Sequence, residues 1–260
     1  MEILASWLDR MDLFLVILAR VSGIFLMTPV FGSQQVPGQV KVSLSLILTA
    51  LIGTTLNLGD TQLPSQLLAF VMVIVSEMAI GFLIGFLVYL TFAAVTVAGQ
   101  VIDMQMGFGI VNVIDPQFGT QLPLLGNFQY LLALLVFLGL NGHHVVLTAL
   151  FKSYDIIPLN GFQFSGGLVE YLIQLVAGMF VTAVKIGAPI VGALFAADFA
   201  MGVLARTVPQ LNIFVVGLPV KVFLGLLVLL GVMPLYVWVV GRLLSTGFRE
   251  LDMLLHLIGK

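Results

Sequence analysis

The 260-residue chain contains no cysteine, which excludes disulfides, thiol redox chemistry and thiolate metal sites at once. Charge is almost as scarce: Asp, Glu, Lys and Arg make up 8% of the residues, where a soluble domain carries roughly 25%. The 10 basic and 12 acidic side chains leave a formal net charge of −2, and the basic ones are scattered singly. No basic face exists to hold nucleic acid, so nucleic acid is not an expected partner. Only three histidines are present and there is no HExxH motif. His143 and His144 are adjacent, so on a helix they project about 100° apart and do not share a metal-facing side. They are expected to lie at an interface next to a helix-terminal Gly142, and no metal is expected. A GxSxG elbow is missing, and Gly107-Phe108-Gly109 lacks the Lys of a phosphate loop. Neither a catalytic constellation nor a cofactor follows from such a set.

Apolar surface dominates what is present. Hydrophobic residues make up 60% of the chain, and the mean hydropathy is +1.18. The fold class implied is all-α, a polytopic membrane protein. Measured against the ~20 residues needed to cross a bilayer, apolar runs fall near 11–31, 42–58, 67–102, 125–151, 168–200 and 213–241. No break between them is long enough for a separate soluble domain, so 1–260 reads as a single membrane domain. Asp9, Arg10 and Asp12 precede the first run, unlike the basic start of a cleaved signal peptide, so that run is expected to stay in the mature protein. Placing the N-terminus, the 57–66 and 152–167 breaks and the tail on one side collects Arg10, Lys152, Arg242, Arg249 and Lys260, which favours cytoplasmic termini. After Gly241 the residues Leu244, Phe248, Leu251, Leu255 and Ile258 recur at helical spacing. The tail 242–260 is therefore expected to be an amphipathic helix on a membrane or partner surface.

The runs differ in how well lipid alone would suit them. Residues 222–240 contain thirteen Leu, Ile, Phe or Val and could insert unaided. Residues 181–200 contain eight, set against Lys185 and Asp198 at about +2.5 to +3.5 kcal/mol each at a helix centre, with Pro189 between them. That stretch wants protein neighbours. Gly81 and Gly85 stand at the small-xxx-small spacing that lets helices approach closely.

Three features carry candidate function. Glu77, Lys185 and Asp198 are charges inside apolar runs, and each is either an ion or proton site or a structural partner of another helix or subunit. Lys185 and Asp198 are thirteen residues apart, about 20 Å along one helix, so they cannot pair with each other without a break. The segment 205–221, ARTVPQLNIFVVGLPVK, sets Arg206, Pro209, Gln210, Asn212, Pro219 and Lys221 between two apolar runs. Polar, Pro-broken backbone at membrane depth must be sheltered by protein or line a water-filled path. The break 103–127 has no Lys or Arg and mixes glycines and prolines with Met104, Met106, Phe108, Ile110, Val111, Val113, Ile114 and Phe118. It is expected to pack in a constriction, as a plug or gate or as a re-entrant loop without a gating role.

In order and spacing, one set of residues resembles a known family. They are Arg20 with Pro29 and Pro37, Gly99-Gln100 leading to Gly107-Phe108-Gly109, Asp115-Pro116, Gly142-His143, Ser153 with Pro158, and the string Arg206, Pro209-Gln210, Asn212, Phe214, Gly217, Pro219, Lys221. Over nearly its whole length the chain resembles the FliR family of the bacterial flagellar type III export apparatus and its relatives in virulence secretion. The resemblance implies a non-enzymatic subunit of a protein export gate, in the bacterial inner membrane at the flagellar basal body. Its implied partners are FliP-like and FliQ-like subunits, FlhB-like and FlhA-like export components, and unfolded exported proteins as cargo. It further implies helical hairpins stacked in a hetero-oligomer raised out of the bilayer plane. Met106, Gly107, Phe108, Gly109, Ile110, Val113, Asp115 and Pro116 would then belong to the plug, and Arg206, Pro209, Gln210, Asn212, Phe214, Gly217, Pro219 and Lys221 to subunit contacts. The competing reading is a secondary transporter of a small solute that uses Glu77, Asp198 or Lys185 for ion coupling; an intramembrane hydrolase has neither nucleophile nor metal motif to stand on.

Overall fold

A computed structural model describes residues 11–33, 35–55, 63–109, 123–162, 165–210 and 212–259. Among them are seven helices and no strand: α1 (Met11–Met27), α2 (Gly38–Thr55), α3 (Leu67–Met106), α4 (Leu124–Gly139), α5 (Gly142–Ile156), α6 (Gly166–Thr207) and α7 (Ile213–Ile258). Each of the six apolar runs contains helix among the described residues, and one of them is divided. The run 125–151 is divided between α4 and α5, where Asn141 adopts the left-handed conformation with φ 55°. Gly142 opens α5 and does not terminate the preceding helix, contrary to the expectation for it. Asn takes the left-handed position because its short polar side chain tolerates αL better than most. α1 stops at Met27 because Pro29 follows closely and cannot continue a helical ladder. Four helices are long and apolar enough to cross a membrane, or five if α4 and α5 count as one span.

The chain divides into two compact units, Met1–Leu90 with Asn141–Leu175 and Leu244–Lys260, and Thr91–Leu140 with Val176–Leu243. In the first unit α1 packs against α2, burying Val16, Ile17, Val21 and Ile24 of α1 and Leu48 and Ile52 of α2. The α1–α3 crossing depends on glycine. A Cβ on Gly81 would run into the Arg20 carbonyl, and one on Gly85 would lie 2.8 Å from the Met27 Cβ. The small-xxx-small pair thus meets the helix it was expected to admit.

The tail packs against its own chain. α7 continues without interruption to Ile258, and Leu244, Leu251, Leu254, Leu255 and Ile258 are buried in the first unit. Tyr171 Oη donates to the Glu250 carbonyl at 3.4 Å, and Lys152 and Asp252 approach to 3.7 Å. Its apolar stripe is buried within the first unit while Asp252, Met253 and His256 on the other side stay exposed, as an amphipathic helix requires.

In the second unit Ile102, Met106, Leu125, Ile190, Leu194 and Leu229 form one core cluster. Phe92 adds an aromatic contact with Tyr130 and another with Phe137, at ring-centroid distances of 5.7 and 5.5 Å.

Candidate functional site

Glu77 lies fully buried on α3 and is met by Arg20 of α1, also at 0% exposure. Arg20 Nε donates to Glu77 Oε2 at 2.6 Å, Nη1 to Ser153 Oγ at 3.1 Å and Nη2 to the Ile157 carbonyl at 3.1 Å. The guanidinium also lies 4.1 Å from the centre of the Tyr154 ring, whose hydroxyl donates to the Ile17 carbonyl at 3.3 Å. The second carboxylate oxygen, Oε1, accepts from the Asn160 backbone N–H at 3.0 Å, and Asn160 itself is held at φ 63°. Charges removed from water must be compensated by good geometry, and here the planar guanidinium ties together α1, α3, α5 and the turn after α5. Both Glu77 oxygens are taken, which favours the structural reading of this acid over an ion-coupling one.

From sequence, Arg20 is visible only through the family resemblance. Its signal was nonetheless there: two opposite charges buried in separate apolar runs, each costly alone and compensated together. Ser153 and Asn160 carry no comparable mark, because a hydroxyl and a backbone N–H become partners only through tertiary packing.

A second carboxylate organises the root of the 103–127 break. The C-terminal end of α3 reaches Met106, beyond the apolar run that announced it. Asp103, 5% exposed, accepts from the Leu125 N–H at 3.0 and 3.1 Å and from the Gly126 N–H at 3.1 Å. α4 begins after Pro123, which offers no capping side chain. Asp103 therefore caps α4 from another helix, placing negative charge on the positive end of its dipole. Gly99 and Gly126 make this possible, since a Cβ on Gly99 would lie 2.7 Å from the Gly126 nitrogen. Asp103 was missed because an acid 22 residues from the helix it caps has no local sequence signature.

Of the expected plug residues, Met106 is fully buried in the core cluster, its Sδ 2.7 Å from where a Cβ on Gly225 would stand. Gly107 takes φ 88°, a left-handed turn that suits glycine. Phe108 is half-buried against the same cluster, and Gly109 follows it. Ile110, Val113, Asp115 and Pro116 lie outside the described residues.

The 205–221 segment is less broken than its composition suggests. α6 runs through Arg206 to Thr207, and α7 contains Pro219 and Lys221. Pro219 is the seventh residue of α7 and has no N–H to give the Val215 carbonyl, so the helix continues past it with one ladder bond missing. Only residues 208–212 separate the helices, with Pro209 and Gln210 exposed in a turn. Asn212 Oδ1 accepts from the Val215 N–H at 3.4 Å at the start of α7, Phe214 lies in its first turn, and Gly217 is buried. Lys221 forms an ion pair with Asp198 of α6, at side-chain exposures of 22% and 38%. Lys185 is exposed, and no residue among those described pairs with it. Arg206 is likewise exposed. No group of three or more His, Asp or Glu side chains among the described residues is placed to hold a metal ion.

Long apolar helices, a buried inter-helix charge network and charged side chains left on apolar faces define an all-α polytopic membrane protein. Residues 11–247 match the family described as bacterial export proteins, family 1. The chain is 36% identical to flagellar biosynthetic protein FliR of Bacillus subtilis (strain 168) over 98% of both chains. It is 29% identical to FliR of Escherichia coli (strain K12), over 95% of this chain and 94% of that one. FliR of Aquifex aeolicus (strain VF5) is also 29% identical, over 81% of each chain. The chain belongs to the bacterial export proteins of family 1, in the FliR group, and is a membrane component of the flagellar export apparatus.

Proposed function

We propose that the chain is a non-catalytic subunit of the flagellar type III export gate, which forms and seals a protein-conducting channel together with FliP-like and FliQ-like subunits. Its place would be the bacterial inner membrane at the basal body, beside FlhB-like and FlhA-like components, with unfolded exported proteins as cargo. On this reading the whole chain acts as one export-gate module.

The observation that carries the proposal is the length of the apolar helices. α3, α6 and α7 have 40, 42 and 46 residues, or about 60, 63 and 69 Å at 1.5 Å per residue. The hydrocarbon core is about 30 Å thick, and even a 40° tilt lets it cover only about 39 Å of helix. Yet exposed apolar side chains continue from Leu67 to Met104 on α3 and from Val169 to Leu204 on α6, about 56 and 53 Å. Lipid cannot cover such faces from end to end. Protein neighbours can, which supports an assembly rising beyond the bilayer. Within it, the segment after Met106 would supply the seal, rooted by Met106 in the core and by Asp103 on α4. Arg206, Gln210, Asn212 and the Lys221–Asp198 pair would face neighbouring subunits.

The transporter reading loses its best carboxylates, since Glu77 and Asp198 each hold a cationic partner within the chain. Coexpression of the tagged chain with FliP-like and FliQ-like subunits, followed by native mass spectrometry, tests the proposal. A discrete hetero-oligomer containing this chain is expected. A stable monomer or homodimer that ignores those subunits overturns it.

A further inference from the structure

The outward side of α6 is built as a packing seam. Val181, Lys185, Ala188, Gly192, Phe195 and Phe199 follow one another at alternating steps of four and three residues, and all are exposed. The same steps lead back to Gly178 and on to Gly202 and Arg206, which are exposed too. Opposite them, Ala183, Ile186, Ile190 and Leu194 are buried in the second unit, roughly half a turn of the helix wheel away. The seam therefore faces away from the core of the second unit from Gly178 to Arg206, about 42 Å.

Its period and its surface both suit another helix. A repeat of 3.5 residues is the seam of helices that cross at a shallow left-handed angle. A Cβ added at Gly178, Gly192 or Gly202 would meet no atom within 4 Å, so another backbone has room to approach at each. Phe195 and Phe199 stand 72% and 73% exposed beside them, ready to fill the spaces of a facing helix.

Charge decides which helix. Lys185 lies near the middle of the exposed apolar stretch of α6 from Val169 to Leu204, and one turn on Pro189 has no N–H to give the Lys185 carbonyl. A lysine facing lipid from within an apolar stretch is strongly disfavoured. Among the described residues neither Lys185 nor Arg206 has an acidic partner. A second copy of this chain cannot provide one through the same face: no Asp or Glu lies on the seam, and the nearby Asp198 is engaged by Lys221.

We infer that this face docks an α-helix of a different subunit, laid along α6 and carrying a carboxylate against Lys185. The inference rests on the proposed hetero-oligomer and names one of its contacts. Its test uses the complex purified in detergent with FliP-like and FliQ-like subunits, first confirmed intact by native mass spectrometry. Carbodiimide, which joins an ammonium to a carboxylate in contact with it, is then applied and the linked peptides are sequenced. An amide between Lys185 and an Asp or Glu of another subunit is expected, as is its loss in Lys185→Arg. In a parallel coexpression, Lys185→Glu should lower the co-purified partner about tenfold or more by setting like charges together, with the chain still present in the membrane. A link from Lys185 to a second copy of this chain, or an intact hetero-oligomer in which Lys185 stays unlinked, overturns the inference and leaves the export-gate reading standing. Failure of the unmodified chains to form any hetero-oligomer overturns both.

Discussion

Arg20 and Glu77 are wholly buried, and both carboxylate oxygens and all three guanidinium nitrogens are engaged. Lys221 and Asp198, in the other unit, meet at 22% and 38% exposure on an apolar surface. The two pairs have the same chemistry and different consequences. The first is closed, and breaking it leaves a charge with nowhere to go. The second is open on one side, so a neighbouring group can extend it or replace one of its members. The Arg20–Glu77 pair thus fixes the helices of its own unit, whereas the Lys221–Asp198 pair stays within reach of a neighbour.

The largest expected effect comes from breaking the closed pair. Glu77→Leu strands the Arg20 guanidinium and should destabilise the chain by about 3–5 kcal/mol, read as loss of folded protein in detergent melting. The double change Arg20→Met with Glu77→Leu should recover much of that loss, because no unpaired charge remains. If the double variant is as unstable as the single one, the pair is not the organising element described above.

Helix crossings come next and compare the units directly. Gly81→Ala forces a Cβ onto the Arg20 carbonyl, and Gly99→Ala forces one against Gly126. Each should cost about 1–3 kcal/mol through overpacking. Gly178→Ala, on the open seam of α6, should leave the isolated chain unchanged in the same melting assay.

The Asp103 cap should give a smaller effect. Asp103→Ala removes a charged acceptor from two N–H groups of α4, about 1.5–3 kcal/mol, and Asp103→Asn should cost less because its side-chain oxygen can still accept. Hydrogen exchange at Leu125 and Gly126 would report the loosened turn, and unchanged protection there would rule out the cap.

Smallest of all, Lys221→Met should alter the stability of the isolated chain by about 0–1 kcal/mol, the range for exposed ion pairs. Its effect should appear instead as reduced co-purification of partner subunits. An equally large loss in the isolated chain would erase the contrast between closed and open pairs.

Legibility from sequence followed the range of the physics involved. Apolar runs announced all six helical regions, since hydropathy sums over neighbours along the chain. Their ends were harder. Pro219 looked like a breaker and stands inside α7, which continues past the missing Val215 ladder bond. The Leu244 to Ile258 spacing was read correctly as one apolar face, but what that face covers depends on α5 and α6. Gly81 and Gly85 were legible as a close-approach motif, while Gly225, whose missing side chain seats Met106, was not. Of the candidate site, the charged members Glu77, Lys185, Asp198 and Lys221 stood out in the sequence, but which of them pair, and that Arg20 meets Glu77, did not.

What the sequence determined by itself is the solvent and the class: too little charge and too much apolar length for water, helices because isolated backbone in lipid must satisfy its own hydrogen bonds, and membership of a family of export proteins. Only the tertiary structure decided that Glu77 belongs to Arg20, that Asp103 caps α4, and that Lys221 takes Asp198 while Lys185 is left facing outward. Each of these is a choice among partners 22 to 57 residues away or more, and such choices depend on which helices come within about 3 Å of one another, which no local pattern encodes.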